Sequence, residues 1–536
     1  MPLYLVFTYT LHAYYLIAPI QITFAVRGII PDMDEKKLSE DLPHPEKKPR
    51  YDARICLEEL RTIFAQCGDF ESRSIMPGLM LSLHGVSLCW LDGLVDGVTV
   101  SEDVLRPLTD LSRTISSATE AQLIDTLQRG AAYSYTVRRR QTLDDVVTDM
   151  VNGFCVICFD TLGEALTFDT RTKLTRSVSQ PAVEKAIKGG KDAFVETLRT
   201  NTSLVRRKLR TPDLKIQQYV VGRLSGTGVA LLYIDGVAQQ GTVNEAVKRI
   251  GAIDIDGLIS SGDLEEYIVD SPHSPLPQLL HTERPDTFAM HLLDGRIGIL
   301  VDGLPVGFLL PADLAAFMRV PEDSSMHFAV ASMLTLLRWI ALVISLLLPA
   351  AFVAVSMYHQ EMLPVQLLLS MTSAKQYVPF SVATEVIAML LAFELLQEAG
   401  LRLPDPVGQT ASIIGALIVG QSAVEAKVVS PIAVIVVALA GISGYTMPSQ
   451  DLGGTVRLGR LLLVAAAAFM GIYAVTACAA LLIWYMSGLE SFGKAYTAPF
   501  TGSDAGTLSR ILLKRPNRAN KFRSGHLAGW NRRRQR

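Results

Sequence analysis

The chain has 536 residues, more than the roughly 100–200 of one domain, so it holds at least two folding units. With 49% hydrophobic and 19% charged residues and a mean hydropathy of +0.30, it is too apolar to be wholly soluble, and a membrane portion is the simplest account. A net charge of −2 excludes a global field for nucleic acid, and six scattered cysteines exclude a disulfide scaffold and fit a reducing compartment.

Residues 1 to 30 are largely apolar, interrupted by Arg27, but lack a basic start and a small-residue cleavage site. They read either as an extra membrane anchor or as a translated upstream region. Met33-Asp34-Glu35-Lys36-Lys37, which looks like a soluble beginning, favours the second. The Pro43–Pro49 stretch cannot hold a helix and reads as a linker. The expected organisation is an extension and linker over 1–50, soluble α/β subdomains over 51–200 and 201–325, a helical transmembrane domain over 326–490, and a basic cytoplasmic tail over 491–536.

Between Tyr51 and Val320, apolar runs of strand length alternate with amphipathic stretches such as Ser101–Leu111 and Ser116–Leu127, which predicts α/β layers. Val86–Gly93 (VSLCWLDG) and Val229–Gly236 (VALLYIDG) resemble each other, and Ile297–Gly303 (IGILVDG) ends the same way. Two similar subdomains or recurrent Asp-Gly turn chemistry both explain this.

After Pro321 the character changes. Trp339–Gln360 and Leu461–Leu489 contain no Asp, Glu, Lys or Arg and exceed the roughly 20 residues of a bilayer core. Pro406–Val424 and Val428–Gln450 are also uncharged, but Gly, Ser, Gln and Pro interrupt them, so one or both read as broken or re-entrant. Five apolar candidates cannot all cross if both chain ends are cytoplasmic, which makes Pro406–Val424 the expected re-entrant segment. Pro379–Leu396 is apolar yet carries Glu385 and Glu394. At 100° per residue, Ser381, Glu385, Ala388 and Ala392 share a stripe, with Thr384 beside it and Glu394 opposite. That stripe suits a wet lumen shared by several copies; an interfacial helix or small-residue packing explains it as well.

No Walker loop, GxGxxG, HExxH or GxSxG occurs, so no enzyme, cofactor or metal site is expected. Cys155-Val156-Ile157-Cys158 has redox and zinc spacing but sits inside the apolar run Phe154–Phe159, which predicts a buried strand. His281, His291, Glu283, Arg284, Asp286 and Asp294 gather near Pro277 and Pro285 and read as a solvated turn network. The Arg510–Arg536 stretch is basic and free of acids, which predicts a cytoplasmic tail rather than a nucleic-acid arm.

The choice of function comes from resemblance. Trp90-Leu91-Asp92-Gly93-Leu94, Gln180-Pro181-Ala182-Val183-Glu184, Ser274-Pro275-Leu276-Pro277-Gln278 and Thr282-Glu283-Arg284-Pro285-Asp286 resemble blocks of the GerA family of spore germination proteins. So do Leu347-Leu348-Pro349-Ala350, His359-Gln360-Glu361-Met362-Leu363-Pro364, the Phe393–Pro404 stretch around Glu394, and Gly420-Gln421-Ser422-Ala423-Val424-Glu425-Ala426. Pro379 keeps a family position, while Ser381 replaces a usual Pro, Leu390 a usual acid and Gln180 a usual Glu. The resemblance implies the A subunit of a nutrient germinant receptor in the spore inner membrane, with a transporter-like B subunit, a lipoprotein C subunit and further copies of itself around a cation-conducting pore. Ser381, Thr384, Glu385, Ala388 and Ala392 are then the candidate pore residues. The rivals are a stage V sporulation protein that shares the family domain and a non-conducting membrane scaffold.

Overall fold

The computed structural model describes residues 50–74, 86–114, 120–131, 136–172, 181, 184, 188–402, 420–501 and 511–534. The expectations for residues 1–49 and most of Pro406–Val424 lie outside them. The architecture belongs to the unit Ala53–Arg536.

The first sheet consists of β1 (Phe70–Ser74), β2 (Val86–Leu91), β3 (Val137–Arg140), β4 (Phe154–Phe159) and β5 (Glu164–Asp169), in the order β1-β2-β4-β5-β3. Among the helices that accompany it are α1 (Leu57–Ile63), α2 (Arg106–Thr114), α3 (Glu120–Thr126) and α4 (Leu143–Val151). Every residue of β4 is buried, which is why its sequence is an unbroken apolar run rather than an alternating one. Cys155, Ile157 and Phe159 pack with Leu108 of α2 and Leu123 and Ile124 of α3. The other face meets α4, whose Asp149 accepts hydrogen bonds from Thr167 (2.8 Å) and Arg140 (2.8 Å). Cys155 and Cys158 are free thiols inside this sheet, and burial drives the Cys155 thiol far above its ordinary value, so the pair acts as strand packing.

The second sheet consists of β6 (Leu214–Val221), β7 (Thr227–Ile234), β8 (Leu280–Thr282), β9 (Ile297–Val301) and β10 (Gly307–Leu310), in the order β6-β7-β9-β10-β8. Counted from its own first strand, that order is the same as in the first sheet. All eight ladders are antiparallel, so the expected helix-and-sheet layers are built on antiparallel pairing. Helices α5 (Leu198–Lys208) and α8 (Pro285–Asp294) lie against one face, where Leu204, Val205, Phe288 and Leu292 join the core. Helices α6 (Gln240–Gly251) and α7 (Ser261–Ile268) cover the other with Val243, Ile250 and Leu264. Strands β2 and β7 occupy equivalent places, and each ends in an Asp-Gly turn with positive φ, at Gly93 (+82°) and Gly236 (+73°). The repeat is therefore one of whole topology; Ile297–Gly303 corresponds to β4 instead.

The sheets meet edge to edge. Gly68 N–H donates to the Ile216 carbonyl at 2.7 Å, and a Cβ at position 68 would stand 3.1 Å from that oxygen. Arg206, 1% exposed, forks onto Asp69 (2.9 and 2.7 Å) and donates to the Leu214 carbonyl (3.0 Å). Breaking a buried pair strands the surviving charge. Arg206→Met is expected to cost about 3–5 kcal/mol in denaturant unfolding of the purified chain, and Asp69→Leu added to it should recover part of the loss.

The main helices described after the second sheet are α9 (Phe328–Tyr358), α10 (Val365–Lys375), α11 (Val382–Arg402), α12 (Pro431–Tyr445), α13 (Gln450–Met470) and α14 (Ile472–Gly488). Among the described residues, α9 and α13 are long and apolar enough to cross a membrane; α12 and α14 are apolar but shorter. The sequence expectation of one span over Leu461–Leu489 is corrected. The chain turns at Gly471, where φ is +62° and a Cβ would lie 2.9 Å from Tyr358 Cβ, so that stretch belongs to two antiparallel helices. The split adds a helix to the five apolar candidates, and the parity argument for a re-entrant segment lapses. The basic tail is docked on the second sheet: Ala528 bridges Ala238, Arg523 donates to the Leu293 carbonyl (2.6 Å), and Arg534 pairs with Asp294 (2.7 Å).

Candidate functional site

The core of the second sheet continues into the helices without a break. Leu452 and Val456 of α13 share a cluster with Phe288, Leu292, Phe317 and Tyr496, and Trp339 and Leu346 of α9 pack against it. Polar ties cross the same junction. Arg338 of α9 forks onto Asp323 (2.6 and 2.8 Å), and His281 of β8 lies 3.1 Å from Asp451 at the start of α13.

Directions within the bundle follow from contacts at its two ends. Leu346 reaches Gly459 near the sheets, and Tyr358 donates to the Ala468 carbonyl (2.6 Å) at the far end, so α9 and α13 run parallel. Glu385 meets Ser430 at the far end and the Phe393 ring meets Tyr445 (6.2 Å) nearer the sheets, so α11 and α12 run together the opposite way. Close approach depends on small residues: a Cβ at Gly441 would stand 2.7 Å from the Phe393 ring, and one at Gly444 3.3 Å from Ser345.

Charges inside this apolar bundle are paired across helices. Glu394 of α11 accepts from Arg460 (2.6 Å) and Arg457 (3.2 Å) of α13, with Arg460 2% exposed. Glu385 is 1% exposed; its Oε2 accepts the Ser430 N–H at 2.8 Å, and Lys375 Nζ of α10 stands 3.8 Å from its Oε1. Isolated charges in such a setting cost several kcal/mol, and each of these carboxylates has a cation within reach.

The expected stripe on α11 divides. Ser381, Thr384 and Ala388 are exposed and Ala392 is half-buried, whereas Glu385 turns into the protein. The buried arc centres on Val382, Val386 and Leu390, and Glu385 lies at its edge, one step round the helix from the exposed side. Ser381 Oγ bonds Thr384 Oγ1 (2.6 Å) and accepts from the Thr384 N–H (3.2 Å), capping the helix.

The family-motif residues scatter. Pro349 is buried inside α9; Pro379, Glu361 and Glu425 are exposed, the last accepting from Gln421 (2.9 Å). Pro277 is half-buried next to Gln278, whose side chain closes a turn onto the Ser271 backbone (3.1 and 2.8 Å). Pro285 takes the first position of α8, and Glu283 precedes it half-buried. The reading of this region as a solvated turn network is corrected. Arg284 is buried, forked onto Asp286 (3.0 and 2.7 Å) and bonded to the Glu184 carbonyl (3.3 Å). Burial together with Arg296 and Arg319 lowers His291 to about 3.

Sequence reasoning missed the partners Arg457, Arg460 and Lys375. The signal was present: Arg457 and Arg460 stand three apart on one face of a helix that becomes apolar, which calls for an acid on a facing helix.

Two sheet units, the second of which shares its core with a bundle whose charges are internally paired, define a protein that joins a folded head to apolar helices, two of them long enough to cross a membrane. The chain belongs to the Bacillus/Clostridium GerA spore germination protein family, whose model matches residues 58–525. It is 34% identical to Spore germination protein KA of Bacillus subtilis over 86% of this chain and 84% of that one. It is also 34% identical to the uncharacterized membrane protein YfkQ of the same species, over 86% of this chain and 88% of that one. Spore germination protein GerLA of Bacillus cereus is 31% identical over 88% of this chain and 94% of its own. The solved N-terminal domain of the A subunit of the Bacillus megaterium spore germinant receptor GerK3 matches 49% of this chain and 98% of its own, at 30% identity and a TM-score of 0.38.

The His281–Asp451 pair carries a pH signature. Asp451 raises His281 above its ordinary value of about 6.5, so the pair stabilises the fold fully below that pH and loses its effect as pH rises through the higher folded value. Thermal unfolding of Asp451→Asn should fall below wild type at pH 6 and converge with it at alkaline pH.

Proposed function

We propose that this chain is the A subunit of a nutrient germinant receptor, set in the spore inner membrane by its helical half, in which several copies surround a cation path and open it to start germination. The single observation that carries the reading is the exposed strip Ser381, Thr384 and Ala388 on α11, small and weakly polar in a helix whose opposite side is packed. A helix with such a strip suits a shared wet lumen when copies assemble. Glu385, just behind the strip, gives the path its negative charge, and Ala392 continues it.

The sheets and the tail face the cytoplasm in this reading, because the basic tail is docked on the second sheet and positive segments stay inside. The sheet units over 51–200 and 201–325 then form a head that passes movement to the helical domain over 326–490 through the shared core. A transporter-like B subunit and a lipoprotein C subunit complete the receptor. Pro277, Glu283, Arg284, Pro285, Pro349, Pro379, Glu361, Glu394 and Glu425 serve the architecture rather than the path, and no chemical step is catalysed.

The test is germinant-triggered potassium release from spores carrying assembled receptors. Ala388→Trp should slow release at least about tenfold, the effect of raising a barrier by about 1.4 kcal/mol, with protein level unchanged. Unaltered release at normal protein level would remove α11 from the path and favour a non-conducting scaffold.

A further inference from the structure

A cavity of about 320 Å³ opens at the end of the bundle away from the sheets, lined among others by Phe352, Ser356, Met371, Lys375, Val382 and Ser430. Glu385 lies behind this wall. One of its oxygens is held by the Ser430 N–H at the start of α12, and the other, Oε1, has no hydrogen-bond partner among the described residues. Ser356 Oγ, on the cavity wall, is likewise buried and unbonded.

Lys375 supplies the opposite charge from 3.8 Å, beyond hydrogen-bonding distance, on a side chain that is 34% exposed. It belongs to α10, an eleven-residue helix with no buried residue and so the least anchored of the bundle. A buried carboxylate with one committed oxygen, one open oxygen and a loosely held ammonium has the form of a cation site whose occupant is tethered to the protein. The charge balance is that of a single positive ion. No cluster of acids and histidines that could hold a metal occurs among the described residues, and divalent calcium takes six to eight oxygens, carboxylates prominent among them.

We infer that Glu385, with Ser356 beside the same cavity, is a monovalent-cation site that the Lys375 ammonium occupies in this conformation, and that potassium or sodium takes its place when α10 moves away. The inference rests on the reading of the helical half as the receptor's membrane part, and it names the class of ion that its buried carboxylate takes. Exchange needs no covalent step: one positive charge leaves the carboxylate as another arrives.

The experiment is binding rather than flux, so its failure is distinct from failure of the cation path. The full chain in detergent is unfolded thermally in potassium chloride, sodium chloride and choline chloride at equal ionic strength. Wild type should show no difference among the salts, because Lys375 fills the site. Lys375→Met should gain a rise of about 1 °C in potassium or sodium over choline, the shift expected for a chain of this size from a ligand at several times its Kd. Lys375→Met combined with Glu385→Gln should lose that rise. Equal unfolding of Lys375→Met in all three salts would overturn the assignment, as would failure of that variant to fold in any salt while the double variant folds. Folding of Lys375→Met only in potassium or sodium would support it.

Discussion

The structure depends on one continuous apolar core that joins the second sheet to the helices. Leu452 and Val456 lie in α13 and yet belong to the same cluster as Phe288 and Leu292 under the sheet. Buried side chains in such a cluster are close-packed and do not slide independently, so a shift of the sheet is felt at the base of α9 and α13. The charge pairs at the junction differ in weight: Arg338 forks onto Asp323 with both side chains largely buried, whereas His281–Asp451 is more exposed and more strongly screened by water. In the proposed receptor, this shared core is what would carry a movement of the sheets into the helices, and a flexible linker in its place would break that coupling.

The same logic of fixed partners governs the bundle. Glu394 is held by two arginines of one neighbouring helix, a firm arrangement with short bonds. Glu385 has only a backbone N–H and a distant lysine. Two carboxylates nine residues apart on one helix thus have opposite roles, one tying α11 to α13 and the other left incompletely satisfied. Residual frustration of this kind concentrates where a protein changes state.

Much of the fold was legible in the sequence because burial writes itself into composition. The unbroken apolar run of β4 announced a buried strand, while the paired VSLCWLDG and VALLYIDG segments fitted either two similar subdomains or recurrent turn chemistry, and only the common strand order decides for the first. What stayed hidden depended on long-range placement. Hydropathy averages over a single glycine, so the turn at Gly471 vanished inside Leu461–Leu489. The helical wheel put Glu385 among Ser381 and Ala388, but only packing decides which edge of a stripe faces inward. The buried fork of Arg284 onto Asp286 looks, in a string of letters, the same as a wet loop.

The docked C-terminal segment closes the helical half into a ring. The chain leaves the second sheet through Asp313 and α9, traverses the bundle, and returns through Tyr496 to clasp the same sheet at Ala238 and Leu293. Both ends of the helical half are thereby moored to one body. A displacement of that body therefore reaches the helices from two places at once, at the start of α9 and again behind α14.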